Sequence, residues 1–141
     1  MTDSTPMVEQ VAAALATALD QCDFNTAATL LHAQCEYVID AFETHVGSDA
    51  IIASYRGAHD AATAVLDSVT YESSVRGEGP DAVIAYIDHL VKGAHRHTHR
   101  CEQLIKCDPD GRVIRITHQP IDGERESIRA FFAAAEIHWP Q

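Results

Sequence analysis

The hydrophobic pattern of this 141-residue chain changes period once, at Asp67, and that change restricts the folds open to it. Before Asp67 apolar residues recur at helical spacing; beyond it they alternate as in strands. Thr5-Pro6 sets a capping hydroxyl ahead of a proline at a first helical position, and Val8, Val11, Ala12, Leu15 and Leu19 then form one apolar stripe as far as about Asp20. Asp23 is placed to cap a short second helix carrying Ala27, Leu30 and Leu31. Cys35–Phe42 has the composition of a strand. Gly47-Ser48-Asp49 stops it and caps a third helix whose apolar face runs Ile51, Ile52, Tyr55, His59, Ala62 and Leu66.

Past Asp67 four strands are expected, Val69–Arg76, Ala82–Val91, His95–Cys107 and Arg112–Gln119. They are separated by Gly77-Glu-Gly-Pro80, Lys92-Gly93 and Asp108-Pro-Asp-Gly111, the last a strong hairpin signal. Asp122 is placed to cap a final helix burying Ile128, Phe131, Phe132 and Ala135. Helices followed by a meander of long strands indicate an α+β fold. The expectation is a single domain over residues 1–141, with N-terminal helices on one face of a curved antiparallel sheet and a C-terminal helix. The other sheet face would be free for a dimer partner.

Composition narrows the function. Ten Lys and Arg against 21 Asp and Glu give a formal charge of −11. Nucleic acid and anionic membrane surfaces both need a basic protein face, so neither partner is expected. Nine histidines are many for this length; protonating all of them would bring the charge to −11 + 9 = −2. The first residues lack the basic and apolar segments of a secretory signal, and the longest apolar runs, Val11–Ala16 and Ala130–Ala135, are too short to span a membrane. Cys22, Cys35, Cys101 and Cys107 form no Cys-x-x-Cys pair and read as reduced thiols, which points to the cytoplasm. There is no Gly-rich phosphate loop, no Gly-x-Ser-x-Gly and no His-Glu-x-x-His, so no cofactor is expected.

The order of helix, short helix opening at Asp23, strand, Gly47-Ser-Asp-Ala-Ile51-Ile52 leading a third helix, and strands with an Asp-Gly-Arg-Val113 hairpin resembles the nuclear transport factor 2-like superfamily. Within it the chain is most similar to the SnoaL-like and ketosteroid-isomerase-like branch, over roughly residues 7 to 119. The resemblance implies a cone-shaped small-molecule pocket between helices and sheet, and commonly a homodimer through the outer sheet face. It implies isomerases, cyclases, dehydratases, epoxide hydrolases or non-catalytic binders, so fold does not settle function. Asp40 falls where the family's steroid isomerases place their base, but their tyrosine position is Leu15 here and their second carboxyl position is Gln103. Steroid isomerisation is therefore disfavoured. The scytalone-dehydratase pattern is half met, since the first helix has no tyrosine.

The strongest local feature is Gly93-Ala-His95-Arg-His97-Thr-His99-Arg-Cys101-Glu102-Gln103. On a strand His95, His97, His99, Cys101 and Gln103 share one face. Ile114, Ile116 and His118 share a face of the adjoining strand. The resemblance turns Gln103 and Ile116 into the cone, with both histidine sets and Asp40 facing them. Three readings stand for this stripe. The histidines are hydrogen-bonded at a sheet edge or dimer contact; or His99 and His118 are pocket acids and bases acting with Asp40; or they hold a metal. His95, His97 and His99 span about 13 Å at the usual rise, too far for one ion. A metal site would need His97 and His99 with His118 or a carboxylate.

His95-x-His97 with Glu102 also matches a cupin's first metal motif, but the second half of that motif is absent around Pro120 and Gly123, and some 65 helical residues contradict a β-barrel. Asp40, in the apolar run Tyr37–Phe42, is either a buried base or a solvated strand-end carboxylate. Tyr55, Tyr86 and His59 are either core residues or pocket walls, as Ile116 is; Cys101 and Gln103 complete the expected ligand contacts. Trp139 would cover the pocket mouth or dock on the surface.

Overall fold

A computed structural model describes residues 5–138; Trp139 and the two residues after it lie outside the described range. Helix α1 (Met7–Asp20) starts one residue after Pro6, which serves as N-cap without a side-chain bond. Glu9 and Gln10 both donate their amides to the Pro6 carbonyl. Helix α2 (Phe24–Leu30) has the expected cap, Asp23, whose carboxylate accepts from the Thr26 amide at 3.2 Å and the Thr26 hydroxyl at 2.7 Å.

Strand β1 (Leu31–Val38) begins and ends four residues earlier than its composition suggests. The chain reverses after Val38 because Asp40 accepts hydrogen bonds from the Phe42 and Glu43 amides at 2.7 and 2.9 Å, folding the backbone into a side-chain-held turn. A short β2 (Thr44–Val46) returns along β1. Gly47, at φ +95°, then starts α3 (Ser48–Val65) and its carbonyl accepts from the Ile51 amide.

The second half follows the alternating pattern closely: β3 (Ser68–Glu78), β4 (Asp81–Lys92), β5 (His95–Cys107) and β6 (Val113–Gln119), then α4 (Glu124–Ala134). The Asp108 side chain accepts from the Asp110 and Arg112 amides and shapes the last hairpin, with Gly111 at φ +83°. Gly123, in the left-handed region, caps α4 in place of Asp122.

These strands form one open six-stranded sheet in the order β2-β1-β6-β5-β4-β3. All neighbours are antiparallel except β1 and β6, which run parallel. The expected sheet was antiparallel throughout; the parallel joint arises because β1 is returned from the far end of the chain by β6 and not by a hairpin. Helices α1, α3 and α4 pack on this sheet, α1 over β3, β4 and β5, α3 over β1, β2 and β3, and α4 over β5. Two apolar clusters result. The larger is built on Leu15, Ile51, Ile84, Ile105 and Ile116; the smaller gathers Ala62, Leu66, Leu90 and Phe131. No described helix is long and apolar enough to cross a membrane.

Candidate functional site

Members of both clusters border a cavity of about 320 Å³ between the helices and the sheet. That volume suits a small organic molecule. The sheet side of the cavity is set by strand alternation. Tyr86, Asp88 and Leu90 of β4 point inward, and β4 pairs with β5 so that Tyr86 lies opposite Cys101, Asp88 opposite His99 and Leu90 opposite His97. On the other side of β4, Tyr71 of β3 is the register partner of Asp88. Tyr71, Asp88 and His99 thus form one row across three strands, and all three line the cavity.

Gln103 closes one end. It is 3% exposed, and its amide is used in both directions: the Tyr55 hydroxyl donates to Oε1 at 2.8 Å and Nε2 donates to the Tyr37 hydroxyl at 3.0 Å. The Tyr37 and Tyr55 rings stack 5.3 Å apart, 11° from parallel. Burial pushes the Tyr37 hydroxyl up to about 12 and Tyr55 well above its usual value, so both remain neutral donors.

The other end of the cavity carries acid groups. The Ser73 hydroxyl donates to Asp20 at 2.5 Å. Burial raises the pKa of Asp20, an effect that this hydrogen bond partly offsets. Asp88 accepts no hydrogen bond from a described residue; burial, with a smaller contribution from Asp20, pushes its carboxyl up to about 6. The Tyr86 hydroxyl is buried and has no hydrogen-bond partner among the described residues. His59 Nδ1 is 2.8 Å from the Tyr71 hydroxyl, and both ring nitrogens are 3.6 Å from Cys22 Sγ, so α3, β3 and the turn after α1 are tied together at the cavity wall. Burial lowers the pKa of His118 and of His99, and raises Cys101 to about 12. At neutral pH these are a neutral imidazole, a second neutral imidazole and a thiol.

Of the residues singled out by sequence, His99, Cys101, Gln103, Tyr55, His59 and His118 all line the cavity. Ile116 does not reach it; it is fully buried in the larger apolar cluster. Asp40 lies outside it too: the residue is exposed, and its carboxylate holds the β1–β2 turn amides. It still acts on His118 at a distance, opposing the effect of burial. His97 and His99 come together with a carboxylate, Glu124 of α4, and not with His118. His95 is exposed at the strand end. Periodicity did not single out Asp88, although the signal is present: Ala82, Ile84, Tyr86 and Leu90 are the inward set of β4, and Asp88 is a carboxylate in the same alternation. Asp20, Cys22 and Tyr71 carry no comparable local signal, since only the packing of α1 and α3 on β3 brings them to the cavity.

Compared with solved structures, the fold is the nuclear transport factor 2-like one. A proposed SnoaL-like polyketide cyclase from Shewanella putrefaciens CN-32 superposes with a TM-score of 0.67 at 16% identity, over 93% of this chain and 99% of that one. A protein of ketosteroid isomerase-like fold from Catenulispora acidiphila, solved in complex with trimethylamine, superposes with a TM-score of 0.65 at 16% identity, over 94% and 98%. TerC, co-crystallised with polyporic acid, gives a TM-score of 0.65 at 15% identity, over 92% and 98%. No family model matches the sequence, and no curated protein matches it. At these identities the likeness establishes the fold.

Proposed function

We propose that this nuclear transport factor 2-like chain takes a small, largely apolar carbonyl or hydroxyl compound into its cavity and moves a proton on it, the chemistry of an isomerase, cyclase or dehydratase. Asp88 carries the reading. A carboxylate that accepts no hydrogen bond from a described residue, with its pKa pushed up to about 6 by burial, is ionised at neutral pH yet far more basic than a solvated aspartate. It would take the proton next to a carbonyl, and the electron pair of that C–H bond would move onto the carbonyl oxygen. The unpartnered Tyr86 hydroxyl is the available donor to that oxygen. Asp88 would return that proton to the acceptor carbon or the leaving hydroxyl, and His118, the neutral imidazole that is the register partner of Gln103, would line the other end of the cavity. Asp88 thereby takes the base role that the sequence assigned to Asp40. The likeness to a proposed cyclase, and the ligands held by two proteins of this fold, support a small-molecule pocket.

The test is exchange of the α-protons of cyclic enones into heavy water, followed by NMR. Wild-type protein should accelerate exchange, and Asp88→Asn should lose at least about 100-fold of the acceleration. Binding of such a probe with exchange no faster than in buffer would leave a non-catalytic binding module. The fully hydrogen-bonded Gln103 favours that second reading, since it can shape a pocket without reacting.

A homodimer belongs to the same proposal. Ala85, Ile87, Val91 and Leu104 alternate with the inward residues of β4 and β5 and give the outer sheet face a half-buried apolar patch. Light scattering should report a dimer that Ile87→Glu dissociates; a monomeric wild type would contradict it. A cytoplasmic location is consistent with four unpaired thiols.

A further inference from the structure

We propose a divalent transition-metal site at the junction of β5 and α4, with His97, His99 and Glu124 as its ligands. Strand alternation puts both imidazoles on one face, and the packing of α4 over β5 brings Glu124, its first residue, above them. One ligand atom of each residue lies within 4.8 Å of the other two. An ion with bonds of about 2.0–2.2 Å holds its ligands roughly 3–3.5 Å apart, so side-chain rotations of about 1 Å would close the site.

Two features set this cluster apart from a chance grouping of surface residues. First, His97 Nε2 and His99 Nδ1 are both buried and have no hydrogen-bond partner among the described residues. A buried polar nitrogen without a partner is costly, and two side by side are rare unless something binds both. The other histidine–carboxylate pairs differ: His45 meets Glu43 at 3.0 Å and His89 meets Glu72 at 3.3 Å, each a single imidazole already paired. Second, the geometry is held in place beforehand. The His97 ring stacks on Phe131 at 5.3 Å and 18°, and Glu124 Oε2 accepts from the Arg100 amide at 3.3 Å while standing 3.6 Å from His99 Nδ1. Its other oxygen is available to an ion.

Two imidazoles and one carboxylate suit zinc or another borderline divalent ion, and three protein ligands leave positions open. His99 also lines the cavity, so the ion would sit at the cavity's α4 edge. The inference does not rest on the proton-transfer reading, because Asp88 is not a ligand.

The probe is zinc chloride titrated calorimetrically into chelator-treated protein, with cobalt(II) absorption as a second readout. One zinc per chain is expected, weakened at least tenfold by His97→Asn and by Glu124→Gln, and unchanged by His95→Ala. Glu124→Gln keeps a side-chain oxygen able to accept from the Arg100 amide, so it guards against loss of folding in the His97 variant; circular dichroism checks both. Absence of stoichiometric binding would overturn the site. So would full affinity in either ligand variant, equal loss in His95→Ala, or a cobalt–thiolate charge-transfer band placing the ion on a cysteine.

Discussion

Gln103 and Asp88 sit on neighbouring strands and face the same cavity, yet they are opposite in kind. Gln103 has both ends of its amide hydrogen-bonded to tyrosines. Asp88 accepts no hydrogen bond from a described residue, and burial pushes its carboxyl up to about 6. A satisfied buried polar group specifies the packing around it, whereas an unsatisfied one destabilises the empty protein and is available to a ligand. One end of this cavity is thus structural and the other is reactive.

The largest effect should come from the structural end. Gln103→Leu keeps approximate volume but leaves the Tyr37 and Tyr55 hydroxyls buried without their shared partner, and should cost about 2–4 kcal/mol in urea unfolding. A loss below about 1 kcal/mol would mean that the tyrosines find other partners and the contrast with Asp88 is false.

Asp88→Asn should do the reverse. The folded pKa, about 6, lies above the ordinary value of 3.8, so ionising Asp88 opposes folding. Below about pH 4 both folded and unfolded chains are protonated there and the penalty vanishes; it grows as pH rises to about 6 and is complete above that. The variant should be more stable than wild type by on the order of 2–3 kcal/mol at pH 8 and indistinguishable at pH 3.5. Equal stability at pH 8 would show that Asp88 is solvated.

Tyr86→Phe is the mildest probe. It removes a hydroxyl that has no hydrogen-bond partner among the described residues, so stability should change by less than about 1 kcal/mol. Affinity for a carbonyl ligand should still fall severalfold in calorimetry. Unchanged affinity would take Tyr86 out of the site.

Most of the scaffold was readable from local chemistry. The β5 bounds, His95 and Cys107, follow from a Gly93 turn on one side and Asp108-Pro-Asp-Gly111 on the other; strand alternation put His99, Cys101 and Gln103 on one face, and the family resemblance turned that face to the cavity. The errors lie where a side chain redirects the backbone. Asp40 read as part of an apolar strand, but a carboxylate that can accept two following amides stabilises a turn, and this moved it from cavity to solvent. Asp20 and Tyr71 were not legible because their meeting depends on how α1 and α3 pack over β3. Asp88 was legible in principle, as the one acidic residue among the inward positions of β4 from Ala82 to Leu90.

The central claim is that Asp88 is an unpaired carboxyl in an apolar cavity, and carbon-13 NMR titration of its side chain, assigned by comparison with Asp88→Asn, tests it most directly. The account predicts a midpoint near 6 that moves when an enone or quinone enters the cavity. A midpoint at the ordinary value of 3.8, unmoved by any such ligand, would contradict it.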